Sequence, residues 1–247
     1  MEGGHAVITG IAASNTTLPW LEQKLYVKKT AHVVAAGYPA EKAIVDQVAA
    51  KAEPAAVWVL GKLNTDKYPL PLAGFTTFVS NDPAVFASWF NSDAVKDWKM
   101  DIAGTAFPTH RPDPNKFVDP LIATGSSTST SVVTIGPGAM DMLPAALSHE
   151  FVHVSQIVQV SSGFGKPPLD TIEGWARYME TLYTNGNKYP SHYARLASSL
   201  PYADPTGAAP TDDQLHSAKA DYYYNLAGSR YAYAAAKGYD VLKLANF

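Results

Sequence analysis

The sequence predicts an α+β fold, because strand-like and helix-like segments alternate in its first half while its second half is helical. The chain has 247 residues, of which 47% are hydrophobic and 17% are charged, so it is long enough to bury a core. It has no cysteine, which excludes disulfides, thiolate metal sites and thiol nucleophiles. Any metal must therefore be held by His, Asp or Glu.

The first half of the chain predicts the order β, α, β, α. Partial apolar alternation over 20–36 suits one or two strands. Apolar residues recur at helical spacing over 39–61, where Pro54 is a kink or a break, so one long helix and two short ones both stay open. The run 75–82 is typical of a strand, and Asp82 is placed to cap a short helix that starts at the next proline.

The second half predicts helices after one further strand. Residues 101–130 are rich in Pro, Asp, Thr, Ser and Gly and indicate a long irregular connection. A β-branched strand over 131–135 precedes a helix over about 141–160. A second helix stops at Gly186, and a third begins at Asp212 or Asp213 and is broken by Gly238 before a short terminal helix.

The helix over 141–160 carries the motif His-Glu-x-x-His as His149, Glu150 and His153. Residues four apart differ by only about 40° around a helix, so both imidazoles project from one face and can share one metal ion. Neutral His nitrogens bind Zn²⁺, and the adjacent carboxylate can take a proton from a metal-bound water. The alternative is an amphipathic helix with two ordinary hydrogen-bonded histidines.

A catalytic zinc site needs a third protein ligand. The metzincin extension is excluded, because it requires Gly and His where this chain has Gln156 and Gln159. Glu173 follows at the start of the next helix, after a loop that lets two helices fold back antiparallel, and we expect it to be the third ligand. The alternative is a first-turn Glu favoured only by the helix dipole. Gly174 beside it is small enough for a close helix approach.

Two further polar residues fall near this face. Glu180 lies two turns after Glu173 and could accept an N–H from a zinc-bound His, or it could pair with Arg177 at the surface. Gln156 lies one turn after His153, and it either supports the histidines by a hydrogen bond or is an ordinary polar residue of the surface. The remaining histidines lack metal-pair spacing.

HEFVHVSQ followed by IEGWARYME resembles the gluzincin metallopeptidases, in particular their peptidase MA-like group. The resemblance implies a zincin-like fold over 20–247, with an α/β part (about 20–140), a helical part (about 141–247), a cleft between them and an extension at 1–19. It implies zinc on His149, His153 and Glu173, with Glu150 as general base.

The same resemblance implies how a substrate is bound. The strand before the metal-binding helix would be the sheet edge that pairs with an extended peptide, which here places Val132, Val133 and Thr134 against the substrate. A Tyr would stabilise the oxyanion. Three neighbouring tyrosines are candidates and Tyr224 is our choice, while packing is the alternative role for these rings.

The sequence therefore predicts a zinc metallopeptidase with a peptide or protein substrate. Its rivals are a non-catalytic binding protein on a zincin scaffold and a zinc hydrolase with a non-peptide substrate. The net charge of −3 argues against nucleic acid, and no apolar run is long enough to span a membrane. We expect a soluble protein. Its compartment and oligomeric state stay open, including secretion with a signal peptide missing from this sequence.

Overall fold

The computed structural model describes residues 24–67, 69–70, 72–89, 103–108, 131–160, 167–189 and 209–245. The predicted extension 1–19 and residues 109–130 of the predicted irregular connection lie outside this range. The described part is a mixed α/β fold with a small sheet followed by helices, which confirms the predicted class at that level.

Five short strands form one mixed sheet. In chain order they are β1 (Tyr26–Lys29), β2 (Val33–Gly37), β3 (Phe75–Val79), β4 (Gly104–Pro108) and β5 (Ser131–Ile135). Their order across the sheet is β1-β2-β3-β5-β4. The three inner strands are parallel, and each outer strand is antiparallel to its neighbour. Within the described residues, β1 and β4 are thus the two edges.

The strand expected at the sheet edge lies inside the sheet. β5 pairs with β3 on one side and with β4 on the other, so both rows of its backbone groups are used. The prediction that this strand is the edge is wrong, and Val132, Val133 and Thr134 have no free backbone row for a substrate. The edge strand β4 comes instead from the segment predicted to be irregular.

Seven α-helices are described. They are α1 (Lys42–Leu63), α2 (Pro83–Ser88), α3 (Leu143–Val160), α4 (Leu169–Thr184), α5 (Asp212–Leu215), α6 (Ala220–Ala236) and α7 (Val241–Ala245). α1 is continuous through Pro54, which settles the choice between one helix and two. Pro54 leaves the carbonyl of Ala50 without its helical donor, and Ala50 is exposed, so water can replace that donor.

The main core lies between the sheet and the helices α1 and α3. Alternate residues of the inner strands face these helices, as the two-residue period of a strand requires. They are Val33, Ala35, Phe75, Val79, Val133 and Ile135. Phe75 stacks on Phe151 of α3 with ring centroids 4.1 Å apart, which fixes α3 on the sheet. The opposite face is covered by a smaller cluster, which comprises Ala36, Phe78, Phe86 and Trp89.

The helical part packs through a contact between glycines and an alanine. α4 contacts α3 on one side and α6 on the other. A Cβ on Gly174 would lie 2.8 Å from the carbonyl carbon and oxygen of Ala227, so only glycine allows α6 to approach this closely. A Cβ on Gly228 would likewise meet the Gly174 carbonyl oxygen at 3.3 Å. This contact sets the position of α6 beside α4.

Several predicted helix ends are confirmed and one is corrected. Asp82 caps α2, since its Oδ1 accepts from the amides of Ala84 and Val85 at 2.8 and 3.3 Å. α4 ends before Gly186, which has a φ of 62°. The helix expected to begin at Asp212 or Asp213 and run to Gly238 is split. Thr211 caps the short α5, and α6 starts only at Ala220.

Candidate metal centre

The two histidines of the motif lie on one face of α3. Their Nε2 atoms are 3.0 Å apart and their rings are nearly perpendicular, with centroids 4.6 Å apart. α3 is held on the sheet through buried Phe151 and Val152, which lie between the two histidines in the chain. The helical spacing alone thus brings both imidazoles to one point.

Glu173 of α4 completes a triangle of three atoms. Its Oε2 lies 3.3 Å from His149 Nε2 and 3.2 Å from His153 Nε2. A tetrahedral ion with bonds of about 2.0–2.1 Å holds its ligand atoms about 3.3–3.4 Å apart. The observed triangle is close to one face of such a tetrahedron. This partly buried group, His149, His153 and Glu173, can hold a metal ion.

The outer nitrogens of the two rings both lie against acceptor atoms. His149 Nδ1 lies 2.9 Å from Glu180 Oε2, and His153 Nδ1 lies 2.7 Å from Gln156 Oε1. Both partners are acceptors, because Gln156 uses its Nε2 to donate to the Ile172 carbonyl at 3.0 Å. Each Nδ1 therefore carries the proton, and each neutral ring presents a bare Nε2 lone pair.

Three acceptor atoms thus converge: two Nε2 lone pairs and one carboxylate oxygen. Such atoms repel one another unless a proton or a metal ion lies among them. In the metal-free protein a proton fills this role. Burial opposes it, but hydrogen bonds to Glu173 and Glu180 raise the pKa of His149 to about 10. Burial likewise opposes ionisation of Glu173, whose pKa is nonetheless held well below its usual range by His153 and His149.

Glu150 is buried beside this group. The residue is only 7% exposed. Its Oε2 has no hydrogen-bond partner among the described residues. Burial raises the pKa of this carboxyl, while the two histidines oppose the rise. A buried carboxylate oxygen without a partner is costly, which marks a position kept for something other than stability.

The edge strand β4 lies directly against Glu150. A Cβ on Gly104 would be 3.2 Å from Glu150 Cγ and 2.9 Å from the Thr134 carbonyl oxygen. Glycine at this position lets the strand run close to the carboxylate. Gly104 could not be predicted from the sequence, since the five-residue strand lies in a Pro-rich and Gly-rich segment without clear alternation.

Tyr224 is the tyrosine of α6 that faces the site. Its ring centroid lies 6.0 Å from that of His149, whereas Tyr222 is 51% exposed. Burial is the main cause that raises the pKa of Tyr224, and the carboxylates of Glu173 and Glu150 raise it further. The phenol is therefore neutral and can donate a hydrogen bond at neutral pH.

Arg177 is the second residue whose part in the site the sequence analysis missed. It donates from Nη1 to Glu180 Oε1 at 3.0 Å, and its guanidinium carbon lies 5.6 Å from the Tyr224 ring centroid. Glu180 therefore accepts from both His149 and Arg177, and its side chain is only 14% exposed, so the pair with Arg177 is not the surface pair of the alternative interpretation. The spacing of three residues between Arg177 and Glu180 was the available signal.

The other described histidines lie elsewhere. His32 pairs with Glu53 of α1 at 2.7 Å, and His216 follows α5. His5, His110 and His192 lie outside the described residues.

No protein-family model, curated protein or solved structure matches the chain. Among the described helices, none is both long enough and apolar enough to cross a membrane.

Proposed function

We propose that the protein is a zinc-dependent peptidase of the gluzincin type, with a zincin-like arrangement of its sheet and helices. One observation carries the proposal: two imidazole nitrogens and a carboxylate oxygen converge within 3.0–3.3 Å of one another, beside a buried carboxylate oxygen without a hydrogen-bond partner among the described residues. Two nitrogens and one oxygen suit zinc, and three protein ligands are typical of catalytic zinc sites. When bound, zinc would polarise a carbonyl and lower the pKa of water towards about 7.

Glu150 is the general base in this proposal. Its Oε2 accepts a proton from the water that attacks the peptide carbonyl, and the same carboxyl then donates that proton to the nitrogen of the leaving amine. Its raised pKa suits both steps, because a base with a pKa nearer to neutrality also gives the proton back readily. The missing hydrogen-bond partner leaves this oxygen available for water.

Tyr224 stabilises the oxyanion. Its hydroxyl donates a hydrogen bond to the carbonyl oxygen as negative charge develops there. Burial, with the nearby carboxylates of Glu173 and Glu150, raises the pKa of the phenol, so it stays neutral and able to donate. Glu180 and Gln156 hold the Nδ1 protons of the two histidines, so that each Nε2 stays directed at the common point.

The edge of β4 takes over the substrate-binding role predicted for β5. An extended peptide can add to this edge by backbone hydrogen bonds, and within the described residues no strand covers it. Gly104 brings the start of β4 against Glu150, so a peptide on this edge passes the general base. The substrate class that follows is an extended peptide or an unfolded segment of a protein.

The test combines zinc content with hydrolysis of a mixed peptide library. We expect about one zinc per wild-type chain, cleavage of library members, and loss of cleavage with retained zinc in Glu150→Gln. Glu53→Gln is the matched control, because Glu53 is a partly buried glutamate of α1 that pairs with His32 away from the site. It should keep both zinc and cleavage.

Two results would contradict the proposal. If the protein binds zinc but cleaves no peptide, the peptidase proposal is contradicted, and the remaining interpretations are a binding protein or a hydrolase of non-peptide substrates. No zinc uptake after supplementation would remove the metal assignment itself.

A further inference from the structure

Arg177 connects three groups around the metal centre. From α4 it donates to Glu180 at 3.0 Å on its own helix and to Asp221 at 2.8 Å on α6. Its guanidinium also lies over the ring of Tyr224, one turn after Asp221. Glu180 in turn accepts from His149 Nδ1 at 2.9 Å. One side chain thus contacts both the partner of a metal-binding histidine and the tyrosine of the opposite helix.

The packing of α4 and α6 confines the Arg177 side chain. A Cβ on Gly228 would lie 3.2 Å from Arg177 Cγ, so the stem of the arginine runs along the glycine surface of α6. The side chain is 21% exposed, while its outer partner Asp221 is 79% exposed. Arginine suits this position because its planar guanidinium can bind two carboxylates at once.

The charges of the site explain the need for this residue. Three partly or fully buried carboxylates surround the centre, those of Glu150, Glu173 and Glu180. A divalent ion would contribute two positive charges and Arg177 contributes a third, which together match the charge of these three carboxylates, while the further partner Asp221 is mostly exposed to solvent. Removing one partner of such a buried set leaves a carboxylate without compensation, which is costly.

We propose that Arg177 is a positioning residue of the metal centre, which orients His149 through Glu180 and holds Tyr224 over the site. The inference rests on the proposed metal site, but not on peptide hydrolysis. A fixed Glu180 keeps the His149 ring turned so that its Nε2 meets the nitrogen of His153 and the oxygen of Glu173. Partners of this kind typically contribute about 10–100-fold to metal affinity.

The experiment measures the zinc dissociation constant of the full chain by competition with a chelator. In Arg177→Met the stem is kept and the guanidinium is lost, and we expect zinc binding to weaken about 10-fold or more. Arg177→Lys keeps the charge but not the planar fork, so its affinity should lie between those of the wild type and the Met variant. Thermal unfolding of the metal-free variants reports whether each is folded.

Arg230→Met is the matched control. Arg230 also bridges α6 and α4, through a hydrogen-bonded ion pair with Asp170. Its loss removes an ion pair between the same two helices, and we expect zinc affinity to stay within about twofold of the wild type. A difference between the two Met variants therefore reports on the site and not on helix packing.

A double variant tests the route through Glu180. If Arg177 acts through Glu180, then Arg177→Met should add less than about twofold to the affinity already lost in Glu180→Gln. Arg177→Met with the affinity of the wild type, equal losses in the two Met variants, or full additivity with Glu180→Gln would overturn the inference. A wild-type chain that takes up no zinc would also overturn it. Because the experiment measures zinc affinity, a lack of peptide hydrolysis would contradict only the proposed peptidase activity and not the role of Arg177.

Discussion

Substitution of Gly174 by alanine should destabilise the protein, although alanine favours helices. The added Cβ would lie 2.8 Å from the backbone of Ala227, about 0.6 Å inside ordinary van der Waals contact, and backbone cannot rotate away. Overpacking of this kind costs about 1–3 kcal/mol, whereas exchanging glycine for alanine inside a helix gains about 1 kcal/mol. The difference is a net loss of up to about 2 kcal/mol, and because the clash is with backbone we expect Gly174→Ala to lie at the upper end of that range.

Gly61 provides the control within the same chain. It lies in α1, and a Cβ there would meet nothing within 4 Å. Gly61→Ala should therefore stabilise the protein by about 0.5–1 kcal/mol, through helix propensity alone. Urea unfolding of both variants, with metal removed by chelator, measures the two free energies of unfolding. If Gly174→Ala is as stable as the wild type or more stable, the close approach of α4 and α6 is refuted.

Three further predictions concern the site and the core. Zinc binding at neutral pH should release at least one proton, because Glu173 and Glu180 raise the pKa of His149 in the metal-free protein to about 10 against the effect of burial. The apparent zinc affinity should therefore rise about tenfold per pH unit from pH 6 to 8. Calorimetry in two buffers of different ionisation enthalpy measures the proton release, and heats that do not depend on the buffer would contradict it. Gly104→Val should abolish cleavage while zinc content is kept, since the added side chain would press on Glu150 and on the Thr134 carbonyl; normal turnover would show that β4 does not line the site. Phe151→Ala should cost about 3–5 kcal/mol in urea unfolding, because the buried ring stacks on Phe75, and a loss below about 1 kcal/mol would refute that stack.

The parts of the site that local spacing determines could be predicted from the sequence. His149, Glu150 and His153 lie within five residues of one helix, so helical periodicity alone brings the two imidazoles together. Glu173 follows on the next helix after a short connection, which limits where α4 can lie relative to α3. The placement of Glu180 beside His149 follows from the same periodicity once α4 is in position.

The parts that depend on distant contacts could not be predicted. The order of the strands is set by pairing between segments far apart in the chain, and nothing in Gly104–Pro108 marks it as the edge strand. The choice among three tyrosines depends on how α6 is rotated and translated against α4. The position of α6 against α4 is set by the contact between Gly174 and Ala227, which are far apart in the chain. Local propensity predicts neither the strand order nor the rotation of α6.

Arg177 shows a further limit of sequence reasoning. Its spacing to Glu180 indicated an ion pair on one helix, and that pair is present. The contacts to Asp221 and Tyr224 come from α6 and have no local signal. A pattern within one helix therefore identified a partner of Arg177 but not its position at the junction of α4, α6 and the metal centre.

The central claim is that His149, His153 and Glu173 bind zinc. Anomalous X-ray scattering at the zinc edge, from crystals of the zinc-loaded protein, tests it most directly. We expect one peak at about 2.0–2.2 Å from His149 Nε2, His153 Nε2 and a Glu173 carboxylate oxygen. A map with no peak at this point, or with Glu173 turned to solvent, would contradict it.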